Sequence, residues 1–287
     1  MMKALYSGVS GMRSHQTKMD VIGNNIANVN TYGYKSQRTT FRDVYYQQMK
    51  NPANPDDLGG GVYRGGTNSG QVGYGAQIGS IDTLHTISGY SPTNSSRDVY
   101  INGDGYFMVE TSSGDKLYTR LGSFNFDSAG NLVDPNGSIV MGWNGSAGGT
   151  TTTDPDDLSP IHIANFDDYK SITINTDGSI TGVHNTTDTV TVLGQIAVAY
   201  IPNPNALVLE GNSYYRVGNN VGTISYNEPG SAGSGTGALV TGGLEMSNVD
   251  LANEFSDMII TQRGYQANTK IISVVDQMLE ELVNLKR

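Results

Sequence analysis

The sequence predicts a mostly β chain with terminal α-helices. The N- and C-terminal helices are expected to pair as a coiled coil, with an extended connector and a central antiparallel β-domain between them. Three observations carry this. Apolar residues near both ends recur on a 4-3 spacing, whereas from about residue 71 to 243 the period falls to two. Glycine makes up 37 of 287 residues, and Thr, Ser and Asn are frequent, which favours short strands joined by tight turns. A hydrophobic content of 37% admits a packed core, while a charged content of 15% leaves the surface to uncharged polar groups. The expected division places 1–30 with 248–287 in a terminal helical domain, 31–70 in the connector and 71–247 in the β-domain.

The first helix is expected from about Ala4 to Val29. Leu5, Val9, Met12, Met19 and Ile26 sit on one 4-3 repeat, completed by Gln16 and Gly23, and Ile22 joins them as an assembly position. Gly8, Gly11 and Gly23 each cost about 1 kcal/mol relative to alanine in a helix interior. Such a helix is marginal until partners cover it. The last helix is stronger. Leu251, Phe255, Met258, Tyr265, Ile272, Leu279 and Val283 fall on one seam, interrupted by Gln262, Thr269 and Asp276. A second row, Ile260, Ala267, Ile271, Val274, Met278, Leu282 and Leu285, lies beside it, and a helix apolar on two faces needs more than one neighbour. Its start is expected at Ser247, with Asp250 as a box-like cap, and its length is about 55 Å. Two readings stand: terminal helices that close one domain, or a two-ended coiled coil that orders on assembly. The position of the helices at opposite ends of a β-type chain favours the second.

Asn51-Pro-Ala-Asn-Pro-Asp-Asp and Leu58-Gly-Gly-Gly mark the connector, with a short helix expected around Phe41–Met49. In the β region, Val99-Tyr-Ile101, Asn102-Gly-Asp-Gly and Tyr106–Val109 read as one hairpin. Ser171–Asn175, Asp177-Gly and Ser179–Thr181 read as another. Leu193–Tyr200 is a buried strand candidate closed by Ile201-Pro-Asn-Pro, and Gly145–Thr153 and Gly230–Gly237 read as loops.

A net charge of −10 repels a phosphate backbone, so nucleic acid is not expected as a partner. With no cysteine there is no disulfide, thiolate zinc site or cysteine nucleophile. The N-terminal residues lack a continuous apolar region and carry Arg13, His15 and Lys18, so no cleaved secretory signal is expected. Membrane insertion is not expected either, because no apolar run approaches the roughly 18–20 residues that a span needs. His15, His85, His162 and His184 are scattered, with His162 reading as an outward strand residue between Ile161 and Ile163. Gly73-Tyr-Gly-Ala-Gln-Ile-Gly79 has the wrong spacing for a dinucleotide loop, and Asp154-Pro-Asp-Asp and Asp56-Asp57 read as solvated turns rather than a metal site. No catalytic residue, cofactor or metal is expected, and the chain does not read as an enzyme.

Ser7-Gly-Val-Ser-Gly-Met12 and the run Met19–Lys35, which contains Asn-Asn-Ile-Ala-Asn-Val-Asn-Thr-Tyr-Gly-Tyr-Lys, strongly resemble the N-terminal signature of flagellar rod and hook axial proteins. Ile101–Phe107 with Tyr118–Phe124 resembles the opening of that family's central β-domain. Gly243–Leu251, Thr261–Asn268 and Asp276–Leu279 resemble its last helix and the entry to it. Within the family the chain looks most like the hook protein, through Gly65–Gly73, Tyr265–Asn268 and the ending Leu282–Arg287. Large hook proteins carry a bulky outer domain after the Gly142-Trp143 region. Here that point lies close to the Leu193 strand, a length that fits a compact hook subunit or a distal rod protein.

The resemblance implies a homopolymer forming a helical tube, with the terminal helices inside and the β-domain outside, acting as a torque-transmitting joint. It implies rod, hook-cap and hook–filament junction proteins and the export apparatus as partners, in a flagellum outside the cell. Asn24, Asn25, Asn28 and Asn30 are expected to satisfy helix-end carbonyls or adopt left-handed geometry, with Gly33 ending the turn; recognition by the export machinery is the alternative. The competing class is a monomeric cell-surface binding module with a helical stalk.

Overall fold

The computed structural model describes residues 2–57, 63–145, 151–233 and 235–285. Leu58-Gly-Gly-Gly, the centre of the 145–153 loop, Ser234 and the final Lys286-Arg287 lie outside the described residues. The chain divides into two compact units. One holds 1–27, 37–83 and 250–287; the other holds 28–36 and 84–249.

The helical unit contains α1 (Met2–Ala27), α2 (Leu251–Leu285) and a β-arm. Asp250 is itself the N-cap of α2: its Oδ1 accepts from the backbone N–H of Ala252 at 2.9 Å and Asn253 at 3.4 Å. The helix therefore starts later than the expected Ser247, because the carboxylate satisfies donors that a helix start leaves orphaned. In the arm, Gln37–Asp43 pairs antiparallel with Ala76–Thr83, and Tyr46–Lys50 with Gly70–Gly73. The helix expected around Phe41–Met49 is thus strand. Its run of Thr39, Thr40, Phe41, Val44, Tyr45 and Tyr46 is β-branched and aromatic, which suits a pleated surface. The stretch expected to be a plain connector is likewise largely paired β-structure, and it recruits residues 70–83 to do so. Gly75 lets the arm approach α1. At φ +113° it tolerates no side chain easily, and an added Cβ would fall 2.2 Å from Ser10 Oγ.

The β unit is built on an antiparallel path running 169–174, 179–184, 190–196, 139–144, 106–110, 116–119, 214–216, 208–211. The central strand Tyr106–Glu110 is buried on both faces. Phe107 and Val109 join one core cluster with Val99, Phe124, Ile180 and Val198, while Tyr106 and Met108 join a second with Tyr118, Met141, Ala199 and Tyr226. The hairpin expected at 171–181 forms, its strands running 169–174 and 179–184, with Gly178 at φ +79° and Asp177 Oδ1 accepting from Ser179 N at 3.0 Å. The hairpin expected at 99–109 does not. Val99–Asn102 pairs instead with Ala238–Thr241, and Tyr106–Glu110 pairs with Lys116–Thr119. The residues 194–199 are buried as expected, shared between strands Val190–Ile196 and Val198–Tyr200.

Candidate assembly interface

Within the helical unit, α1 and α2 run antiparallel. Gly8 lies against Ile272 and Asn268, Gly11 against Asn268, and His15 against Gly264. Lys18 Nζ is 3.4 Å from Asp257, and Asn25 Nδ2 donates to Glu254 Oε1 at 2.9 Å. Glycines form the notches of this contact: a Cβ at Gly264 would lie 2.7 Å from the His15 ring, and one at Gly11 would lie 2.8 Å from the Asn268 amide. The glycines that weaken α1 as an isolated helix therefore bring its axis close to α2.

The covered side of α2 reads Glu254, Met258, Thr261, Tyr265, Asn268, Ile272, Val275 and Leu279, a 4-3 seam. Met258, Tyr265, Ile272 and Leu279 are the expected members. Phe255 and Val283 are exposed instead, because the seam shifts by one position at alternate steps and takes in Thr261, Asn268 and Val275. Leu251 and Leu282 keep the seam's register but lie level with positions beyond the two ends of α1, and are exposed too. The expected interruptions Gln262, Thr269 and Asp276 face solvent and break nothing. On α1, Leu5, Val9, Met12, Met19 and Ile26 are half-buried and Ile22 is buried, while Gln16 is exposed. The second row on α2, Ile260, Ala267, Ile271, Val274, Met278, Leu282 and Leu285, is exposed throughout, with Ile260 at 65%. That stripe has no cover within the described chain.

Polar residues in the pair are held rather than merely tolerated. Asn25, 1% exposed, donates to Gln37 O at 2.8 Å and accepts from Gln37 N at 2.9 Å, besides bonding Glu254. It ties both helices to the first strand of the arm. Burial raises the Glu254 pKa above the usual carboxylate value, with the Asn25 bond opposing. His15, wedged between Gly264 and the Phe41 ring at 5.7 Å, has its pKa lowered by burial and then by Lys18.

Within the β unit, Asn28 accepts from the Thr31 hydroxyl at 3.1 Å, and its backbone carbonyl accepts from Thr31 N at 3.1 Å. Asn24 and Asn30 are exposed in their units. Gly33, at φ +70°, donates to Glu245 O at 2.9 Å, and a Cβ there would meet Leu121 N at 3.1 Å. The motif ends on a buried charge cluster that sequence reading missed. Lys35 Nζ lies 2.6 Å from Glu245 Oε1 and donates to Thr86 O at 2.7 Å. Ser88 N donates to Glu245 Oε1 at 3.1 Å, and Arg120 stands 3.6 Å from Oε2 while stacking over the Tyr106 ring. Burial lowers the Lys35 pKa, with Glu245 opposing that shift. His85 bonds Tyr106 Oη through Nδ1 at 2.7 Å. Burial, then Lys35 and Arg120, lowers its pKa to about 4, and burial raises that of Tyr106 to about 12. The signal that could have found the cluster was the placement of Lys35 and Glu245, one basic and one acidic residue, inside two long motifs in which Asp20 and Asp250 are the other charged residues.

The other histidines stand apart: His162 is exposed between buried Ile161 and Ile163, and His184 packs on Tyr169. Among the described residues no cluster of His, Asp or Glu could hold a metal ion. No described helix is long and apolar enough to cross a membrane.

Three family models match the chain. Residues 5–35 match the flagella basal body rod protein model, 100–182 the flagellar hook protein FlgE/F/G D1 domain, and 240–285 the flagellar basal body rod FlgEFG protein C-terminal model. Over the full length of both chains, the sequence is 44% identical to the flagellar basal-body rod protein FlgG of Bacillus subtilis (strain 168). The chain belongs to the flagellar rod/hook family. It is also 35% identical to the FlgG rod protein of Borreliella burgdorferi and 28% identical to the FlgE hook protein of that organism, each covered in full on both sides. This rod/hook protein is thus a structural flagellar component. Its family segments meet in space: Lys35 closes the first matched segment and Glu245 lies in the last, and the two form the buried pair.

Proposed function

We propose that the chain is a self-assembling subunit of the distal flagellar rod, polymerising through its terminal helices into a helical tube. The uncovered apolar stripe along α2 carries this reading. Ile260, Ile271, Val274, Met278, Leu282 and Leu285 expose large side chains that a second copy can cover, each contributing about 1.5–3 kcal/mol when fully buried. Contacts of this kind that do not close give a filament. The 4-3 spacing of the covered α2 residues supports an antiparallel coiled coil as the element that is repeated.

Support for the rod over the hook comes from the higher identity to rod relatives and from length. The hook relative aligns over 449 positions against 287 residues here, whereas the Bacillus subtilis rod relative aligns over 288. Rod and hook proteins as neighbours, and passage through the flagellar export apparatus, belong to the same proposal. Immunogold labelling of purified hook–basal bodies tests it: label on the distal rod is expected. Label along the hook would restore the compact hook subunit as the reading, and label on the cell surface away from the flagellum would sink both.

A further inference from the structure

We propose that a groove between α1 and the β-arm seats the overhanging C-terminal end of α2 from a second copy of this chain. The inference rests on the self-assembly reading above and names two surfaces that meet. The groove, about 490 Å³, is lined by Tyr6, Ser10, Val44, Tyr45, Tyr74 and Gln77. It continues along α1 past Val9 and Arg13 as far as Thr17, beside Ala76 and Ile78. From Tyr6 to Thr17 it follows roughly 16 Å of helix, the length of about three turns. Tyr45 is 85% exposed, and tyrosine offers an apolar body with a polar tip, the chemistry of a partner contact. The rim is basic. Lys3 bonds Gln47 and sits 5.7 Å over the Tyr74 ring, and Arg13 is exposed. Among the described residues neither cation has an ion-pair partner.

The occupant has the complementary character. With Gly8 level with Ile272 in an antiparallel pair, α1 ends near residue 278, and α2 runs on alone to Leu285. This stub carries Leu282, Val283 and Leu285, the last 83% exposed, beside Glu280 and Glu281. Glu281 lies three residues from Met278 and four from Leu285, so it shares the face of the stripe. Lys286 and Arg287 follow in the sequence, so the match is local: the face that carries Glu281 with Leu282 and Leu285 meets a basic, aromatic groove. The stub cannot fill the groove of its own chain. It points away beyond the start of α1, while the groove runs from Tyr6 toward Thr17 in the opposite direction. A second copy must supply it, and because donor and acceptor surfaces differ, the contact propagates.

The absence of cysteine makes the test direct. One batch carries Tyr45→Cys and the other Leu285→Cys; they are mixed, assembled and oxidised, and the sedimented polymer is run without reductant. A disulfide-linked heterodimer is expected, because a bridge needs Cα atoms within about 7 Å. It is not expected from the control pair Asp20→Cys with Leu285→Cys. A second pair, Gln77→Cys with Leu282→Cys, guards against local damage by the first. Separately, Glu281→Lys is expected to raise the polymerisation concentration about tenfold, with Lys3→Glu in the same chain restoring it. Polymer that forms without heterodimer from either test pair overturns the docking while leaving self-assembly intact. Failure of the unmodified chain to polymerise at all overturns the self-assembly reading, and the docking with it.

Discussion

The two units hide apolar surface to very different extents. In the β unit, Phe107, Met108, Val109, Leu132, Ile161, Ile180, Ile196 and Val198 are at or near zero exposure, and both faces of the central strand are filled. In the helical unit, Val21, Ile22 and Val275 are the buried large apolar side chains among the described residues, while a whole stripe of α2 stands open. One unit has what it needs to fold alone. The other resembles half of an interface, because burial of apolar area is the main term opposing chain entropy and here it is left unfinished.

The largest expected effect tests the self-sufficiency of the β unit. Glu245→Leu leaves Lys35 and Arg120 buried without their carboxylate, and a cost of about 3–5 kcal/mol is expected in chemical denaturation of that unit. A loss below about 1 kcal/mol would mean the cluster reorganises freely. On the other side, Ile271→Ser is expected to leave monomer stability within about 0.5 kcal/mol, as for any exposed site. It should nonetheless weaken polymerisation by about 1.5–3 kcal/mol, read as a shift in polymerisation concentration. If monomer and polymer respond alike, the stripe is not an interface.

Gly264→Ala sharpens the contact inside the helical unit. The added methyl would meet the His15 ring at 2.7 Å, and about 1–3 kcal/mol of overpacking is expected in thermal melts followed at helix wavelengths. Acid separates the units next. His85 stays neutral in the fold, so the unfolded chain takes up the extra proton between the ordinary histidine value of 6.5 and about 4. Stability from this residue is present above pH 6.5 and is lost as pH falls toward 4. His85→Gln should flatten that part of the pH–stability curve of the β unit. The smallest effect is a gain: Gly23 has nothing within 4 Å of an added Cβ, so Gly23→Ala should stabilise α1 by about 0.5–1 kcal/mol.

Legibility in the sequence followed the range of the forces involved. Both terminal helices were readable because a 4-3 repeat acts over neighbouring turns. Met258, Tyr265, Ile272 and Leu279 fell on the covered seam for that reason, and the 169–184 hairpin was readable from its Asp-Gly turn. The other seam members were not. Leu251 and Phe255 are as apolar as any, yet Glu254, Thr261 and Asn268 are the residues turned inward, since α1 presents glycine notches and the Asn25 amide there. The 99–109 hairpin failed similarly: the local turn signal at Asn102-Gly lost to pairing with residues 238–241, far along the chain. The charge cluster was unreadable for the same reason, since Lys35 and Glu245 are 210 positions apart.

By itself, the order of residues determined that this chain has two helical ends and a β-rich middle, because periodicity is a local property. Only the tertiary structure decided which stripe of α2 is covered by α1 and which is left exposed, and that the ends of two distant motifs share one buried ion pair. Those choices depend on how closely backbones can approach, and that closeness is set by glycines and strand partners far away in the chain.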